Sequence, residues 1–131
     1  MTRLLPILLL AASCHGATGD AAERAIIADV ARMEHLTPGQ TALLLAIRRA
    51  ENGPQGCEFG YAARRPHHPS RRFRCDPARS LRCQARWTAR KIKREYRGDL
   101  EAFARGWCAD GERAQWRANV EAVERRANHG L

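Results

Sequence analysis

Several absences narrow the reading before any motif is considered. Beyond the first dozen residues no apolar run is long enough to cross a bilayer, which excludes a membrane-spanning helix there. No two of the five cysteines stand in a C-x-x-C pair, the close spacing that zinc prefers. There is no internal repeat and no low-complexity segment, so neither a solenoid nor a biased tail is expected. Lysine is nearly missing: Lys91 and Lys93 are the only two among 23 basic residues. Arg-rich, Ala-rich usage of this kind is often an effect of genome composition and is not read as a recognition code.

What is present first concerns compartment. Arg3 precedes an apolar stretch, Leu4 to Ala12, and the small residues Ala11, Ala12, Ser13, Gly16 and Ala17 follow. That is the layout of a secretory signal peptide over residues 1–17, leaving 20–131 as one domain with one core. The alternative is a buried N-terminal helix. Ala11-Ala12-Ser13-Cys14 also resembles a bacterial lipobox, although such motifs usually carry Leu where Ala11 stands. In that version Cys14 is lipidated and tethers the domain to a membrane. The expected location is therefore exported, periplasmic or extracellular. Cys57, Cys75, Cys83 and Cys108 then form an even set in a small exported domain, which reads as two disulfides with three possible pairings. The preferred pairing is Cys75–Cys83 with Cys57–Cys108. Basic residues outnumber acidic ones by 23 to 14, which draws an exported domain toward polyanions without choosing among wall polymer, anionic lipid and nucleic acid.

Helical periodicity is clear along most of the remainder. Residues 21–35 carry Ile26, Ile27, Val30 and Met33 as a 3.6-period stripe. Thr37 as N-cap, Pro38 at the first helical position and Gln40 closing a capping box predict a second helix from Pro38. Leu43, Leu44 and Ile47 form its core face, and Asn52-Gly53-Pro54 stops it. Residues 52–79 lack helical periodicity and hold four of the six prolines; Glu58 to Tyr61 and Arg71 to Cys75 are read as short strands in a disulfide-braced excursion. A third helix is expected from Ser80 to about Arg97, a short one capped by Asp99, and a last one carrying Trp116, Val120, Val123 and Ala127.

Glu51 breaks two local rules. It lies four and seven residues after Ile47 and Leu44, on the core-facing stripe, and in the last turn. There the helix dipole disfavours a carboxylate by about 0.3–1 kcal/mol. Such conflicts tend to mark functional sites. Partial burial and an adverse dipole both disfavour the ionised form, so the carboxyl is expected to hold its proton more tightly than usual. An acid of that kind is what glycosidic cleavage requires at the leaving oxygen. The bland alternative is a Glu that bends out to solvent near Arg48 and Arg49.

The run Ala46-Ile47-Arg48-Arg49-Ala50-Glu51-Asn52-Gly53-Pro54-Gln55-Gly56-Cys57-Glu58-Phe59-Gly60 resembles the A-I-R-x-A-E-N-G-x-x-G-x-E-F-G segment of small bacterial lysozyme-superfamily proteins related to lytic transglycosylases. Gln84-Ala85-Arg86-Trp87-Thr88-Ala89 resembles their Q-A-x-W-A-A helix, and Phe103 to Trp107 and Trp116 to Val120 resemble their closing segments. The resemblance spans residues 38–123. It implies a mainly α, lysozyme-like α+β domain with a saccharide groove, acting on peptidoglycan or a related N-acetylated polysaccharide. Glu51 would be the general acid and then the general base, with Tyr61, Gln84 and Glu58 as groove residues. No cofactor or metal is implied, and the protein is expected to be a monomer. In lytic transglycosylases one Glu suffices because the substrate's N-acetyl group assists. A hydrolase wants a second carboxylate, roughly 5–5.5 Å away if retaining and 6.5–9.5 Å if inverting; Glu58 and Asp76 are the candidates, although Glu58 suits holding the Glu-Phe-Gly turn through backbone hydrogen bonds better than direct chemistry. Two departures stand out: residues 62–79 are unusually Arg-rich, and the groove-lining Gly-Leu-Met-Gln motif is missing.

Other constellations carry blander readings. His67 and His68, flanked by Pro66 and Pro69, suit an exposed loop better than a metal site. Arg64, Arg65, Arg71, Arg72 and Arg74 form a basic cluster whose default is a solvated face, and no specific nucleic-acid partner is expected. Trp87, Trp107 and Trp116 occupy helical positions where core packing is the default. The rival to an enzyme is a non-catalytic basic module that binds anionic wall polymer, lipid or nucleic acid, or an effector that meets another organism's surface.

Overall fold

A computed structural model describes residues 17–60, 79–108 and 110–129. Those residues are mainly helical: α1 (Ala17–Met33), α2 (Pro38–Glu51), α3 (Ser80–Glu95), α4 (Leu100–Trp107) and α5 (Arg113–Asn128), with a 3-10 turn at Asp110–Glu112. Tyr61, His67, His68, Cys75, Asp76, the arginine cluster and the expected leader with Cys14 lie outside the described residues.

Local chemistry sets the helix ends. After α1 the chain turns through His35 at φ 56°, with Leu36 N–H donating to the Ala31 carbonyl and His35 N–H to Arg32. This pair of bonds is a Schellman motif, unusual in having His rather than Gly in the left-handed position. Thr37 then caps α2 through the capping box: its hydroxyl accepts from Gln40 N–H at 3.2 Å, and the Gln40 side chain accepts from Thr37 N–H at 2.9 Å. Asn52, also left-handed, ends α2. Asp99 accepts from Ala102 N–H and starts α4. The third helix closes at Glu95 rather than Arg97 because Tyr96 is already extended and Gly98 turns at positive φ.

Helix α2 is the centre of the packing. It lies against α5, α3 and α1, while α1 packs on α3 and α4 on α5. A helix in that position must be buried on more than one side, and Leu43, Leu44, Ala46 and Ile47 all are. Ile27, Val30 and Ala31 face it from α1, Ala85, Ala89 and Ile92 from α3, Phe103 and Ala104 from α4, and Trp116 and Val120 from α5. Met33, expected in the core, is 53% exposed because it sits at the last residue of α1, where the chain leaves the bundle. Ion pairs clip α1 to α3: Arg82 with Asp29, and Arg86 and Arg90 with Glu34.

Two expectations for the excursion are corrected. Glu58 to Gly60 form turns rather than a strand, and no strand occurs among the described residues. The N–H groups there are taken locally: Cys57 donates to Pro54, Gly60 to Cys57, and Phe59 to the Gln84 side chain. The expected Cys57–Cys108 disulfide does not form; both are free, half-buried thiols. An even cysteine count limits how many bridges are possible, but it does not bring two sulfurs together. No disulfide joins two described residues; Cys83 is disulfide-bonded, and the residue completing that bond lies outside the described set.

Candidate active site

The Glu51 side chain is half-buried where α2, α4, α5 and the 52–60 turn meet. Its Oε1 accepts two hydrogen bonds, from Trp116 Nε1 at 2.7 Å and from Trp107 Nε1 at 3.0 Å. The indoles lie 5.9 Å apart at 32°, and Phe103 stacks on Trp107 at 5.8 Å and 25°. A core-facing tryptophan needs an acceptor for its N–H, and a core-facing carboxylate needs donors. The same geometry satisfies both, and it fixes the carboxyl plane.

The second oxygen is different. Oε2 makes no hydrogen bond among the described residues and lies against Gly60, where an added Cβ would stand 2.4 Å from it. Gly60 is exposed and adopts φ 72°, a conformation that favours glycine. The missing side chain is what makes room for Oε2, which takes the place of a Cβ. Gly53 serves a related purpose within the turn, since a Cβ there would lie 1.8 Å from the Cys57 carbonyl oxygen.

A buried polar network holds this turn. Glu58 is 5% exposed, and both its oxygens are engaged, one by the Ser80 hydroxyl and the other by Gln84 Nε2 at 2.8 Å. Gln84, 4% exposed, also accepts from Phe59 N–H at 2.9 Å. Arg48 reaches across from α2 to the carbonyls of Glu58 (3.2 Å) and Gly53 (3.4 Å), and pairs with Glu23 of α1 at 2.9 Å. Its buried Nε has no partner among the described residues. Glu58 and Gln84 therefore brace the turn that ends at Gly60, and Glu58 also borders a depression lined by Gln55, Ser80 and Arg82. As a second catalytic carboxylate Glu58 is poorly placed, because both oxygens are occupied; Asp76 and Tyr61 are outside the described residues.

Cys108, the C-cap of α4, borders the same site. Burial pushes its thiol pKa up, and the carboxylates of Glu51, Glu112 and Glu101 push the same way against Arg113. It stays a thiol at neutral pH and is a poor nucleophile. Among the described residues no cluster of His, Cys, Asp and Glu could hold a metal, and no helix is long and apolar enough to cross a membrane.

The sequence-derived set thus divides. The structure joins Glu51 to Trp107 and Trp116, which sequence reasoning had left to the core, and joins Glu58 to Gln84 in the brace. The signal for the tryptophans was available in part: two indole N–H donors and one core-facing carboxylate each lacked a local partner. No family model matches this chain, and no curated protein or solved structure proved similar to it.

Proposed function

We propose that the protein cleaves glycan strands of peptidoglycan or a related N-acetylated polysaccharide, with Glu51 as general acid and then general base. The observation that carries this reading is the asymmetry of one carboxyl group: Oε1 is fixed by two indole N–H donors, and Oε2, packed against the exposed Gly60, makes no hydrogen bond among the described residues. A general acid must be held in position and still reach its substrate. The sequence resemblance to lysozyme-like lytic transglycosylases names the substrate class.

In this reading Oε2–H donates its proton to the glycosidic oxygen as the C1–O bond breaks. The carbonyl oxygen of the substrate's own N-acetyl group attacks C1, so no enzyme nucleophile is required. The Glu51 carboxylate then takes a proton from the sugar's 6-hydroxyl, whose oxygen displaces the N-acetyl oxygen from C1 and closes an anhydro ring, or from water, whose oxygen displaces it instead and gives a reducing end. With Glu58 committed to the brace, the first outcome is favoured. The protein would work outside the cytoplasm, consistent with its leader-like N-terminus, and no cofactor is invoked.

Incubation of the full-length protein with purified peptidoglycan, followed by mass spectrometry of soluble products, tests the reading. Anhydro-ended fragments support the transglycosylase form, and reducing ends support a hydrolase. No release by folded protein overturns the enzyme reading. It would favour the non-catalytic binding module, to which the exposed guanidinium groups of α5 also point.

A further inference from the structure

A shallow depression of about 350 Å³ lies between α2 and α5, lined by Arg49, Ala50, Asn119, Ala122, Val123 and Arg126. It adjoins the candidate active site on both helices. Ala50 directly precedes Glu51, and Asn119 lies one turn after Trp116, which holds the Glu51 carboxyl. On α5, residues 119, 122, 123 and 126 share one face at helical spacing.

The depression carries two cations at its edges. The arginines of the α1–α3 face are matched: Arg32 and Arg82 with Asp29, and Arg86 and Arg90 with Glu34. Arg49 and Arg126 have no carboxylate partner among the described residues. Between them stands Asn119, whose Oδ1 accepts from Gln115 Nε2 at 2.9 Å, which leaves its amide N–H groups free to donate. Two guanidinium forks and an amide donor over a floor of Ala50, Ala122 and Val123 suit a planar oxyanion carried on a small apolar group.

We propose that Arg49, Arg126 and Asn119 form a carboxylate subsite beside Glu51, selecting glycan strands with acidic peptide substituents over neutral amino-sugar chains. The inference rests on the glycan-cleaving reading and narrows its substrate. Peptide acids along the strand dock on the two arginines and set the register of the sugar at Oε2.

Binding measured on the full-length Glu51→Gln protein, which cannot turn over, tests this. The probes are a disaccharide–peptide fragment of peptidoglycan with free carboxylates, the same fragment fully amidated, and a neutral chitin tetrasaccharide. The acidic fragment should bind about tenfold more tightly than its amidated form, the gain expected of charge-assisted hydrogen bonds at a partly exposed site. Adding Arg49→Gln and Arg126→Gln should erase that preference, and the Lys versions should restore part of it. Because Arg126 is exposed and Arg49 only half-buried, circular dichroism should stay unchanged. Equal binding of acidic and amidated fragments, a preference that survives in the double variant, or no binding of any probe would each overturn the subsite. Wild-type cleavage separates the two claims. Fragment release without acid preference sinks the subsite alone, and acid preference without release sinks the catalytic reading alone.

Discussion

Two glutamates seven residues apart meet opposite fates. Glu58 is enclosed, with both oxygens bonded to Ser80 and Gln84 and its backbone carbonyl to Arg48. Glu51 is half-buried, with one oxygen bonded to Trp107 and Trp116 and the other lying against a glycine. A buried carboxylate whose capacity is filled acts as a structural clamp, since anything less would cost the desolvation of a charge. One that is held at a single oxygen keeps chemical capacity. The contrast makes the first a brace and, in the proposed function, leaves the second for chemistry, although both sit in the same short stretch of sequence.

The comparison can be broken most forcefully at the brace. Glu58→Ala leaves Ser80 and Gln84 without their acceptor and should cost about 2–4 kcal/mol of unfolding free energy. Glu51→Gln should cost less than about 1 kcal/mol, because a neutral amide still accepts from the indoles. Urea unfolding of the two variants checks the difference, and equal losses would erase the proposed division. Next in size is Gly60→Ala. The added methyl meets Oε2 and should displace the carboxyl, lowering glycan cleavage about a hundredfold. Gly56→Ala is the control: its φ is also positive, at 92°, but nothing lies within 4 Å of the added Cβ, so it should lose stability and keep its rate. Trp116→Phe keeps the ring among Phe103 and Trp107 but deletes the shorter bond to Oε1, and cleavage should fall about tenfold with little change in melting temperature.

The smallest expected effect lies on the far face. Burial pushes the Glu34 carboxyl up, but hydrogen bonds from Arg90 and Arg86 outweigh it and hold the pKa below its usual 4.5. A folded-state pKa below the unfolded value stabilises the fold above about 4.5, and this contribution is lost as pH falls through the lowered value. The melting temperature of Glu34→Gln should therefore lie slightly below wild type at neutral pH, and the two should converge in acid. A constant gap across that range would mean that the Arg86 and Arg90 contacts do not depend on the carboxylate charge.

Sequence reasoning reached the parts of this molecule that local chemistry controls. Thr37-Pro38-Gly39-Gln40 marks the start of α2, Asn52 its end, and Asp99 the start of α4, because caps are written within four residues of the helix they begin or end. Glu51 was visible as a rule-breaker for the same reason. The tryptophans that hold it lie 56 and 65 residues away, so no periodic pattern could pair them with it. Gln84, a groove residue by resemblance, is buried by the packing of α3 and turned toward Glu58, a pairing across 26 residues that no local pattern carries. The cysteines show a third kind of gap. Their number was legible, but bridging needs a sulfur-to-sulfur approach that only the folded chain decides, and Cys57 and Cys108 are free.

The central claim is that Glu51 is the acid and base of a glycan-cleaving site, and one side-by-side assay addresses it most directly. Wild type and Glu51→Gln, with matched melting temperatures, are incubated with purified peptidoglycan, and fragment release is followed with time. The account predicts release by wild type and a loss of about 10²–10⁴-fold in the variant, the usual contribution of general acid–base catalysis. Equal release by the two proteins, or none by either, would contradict it.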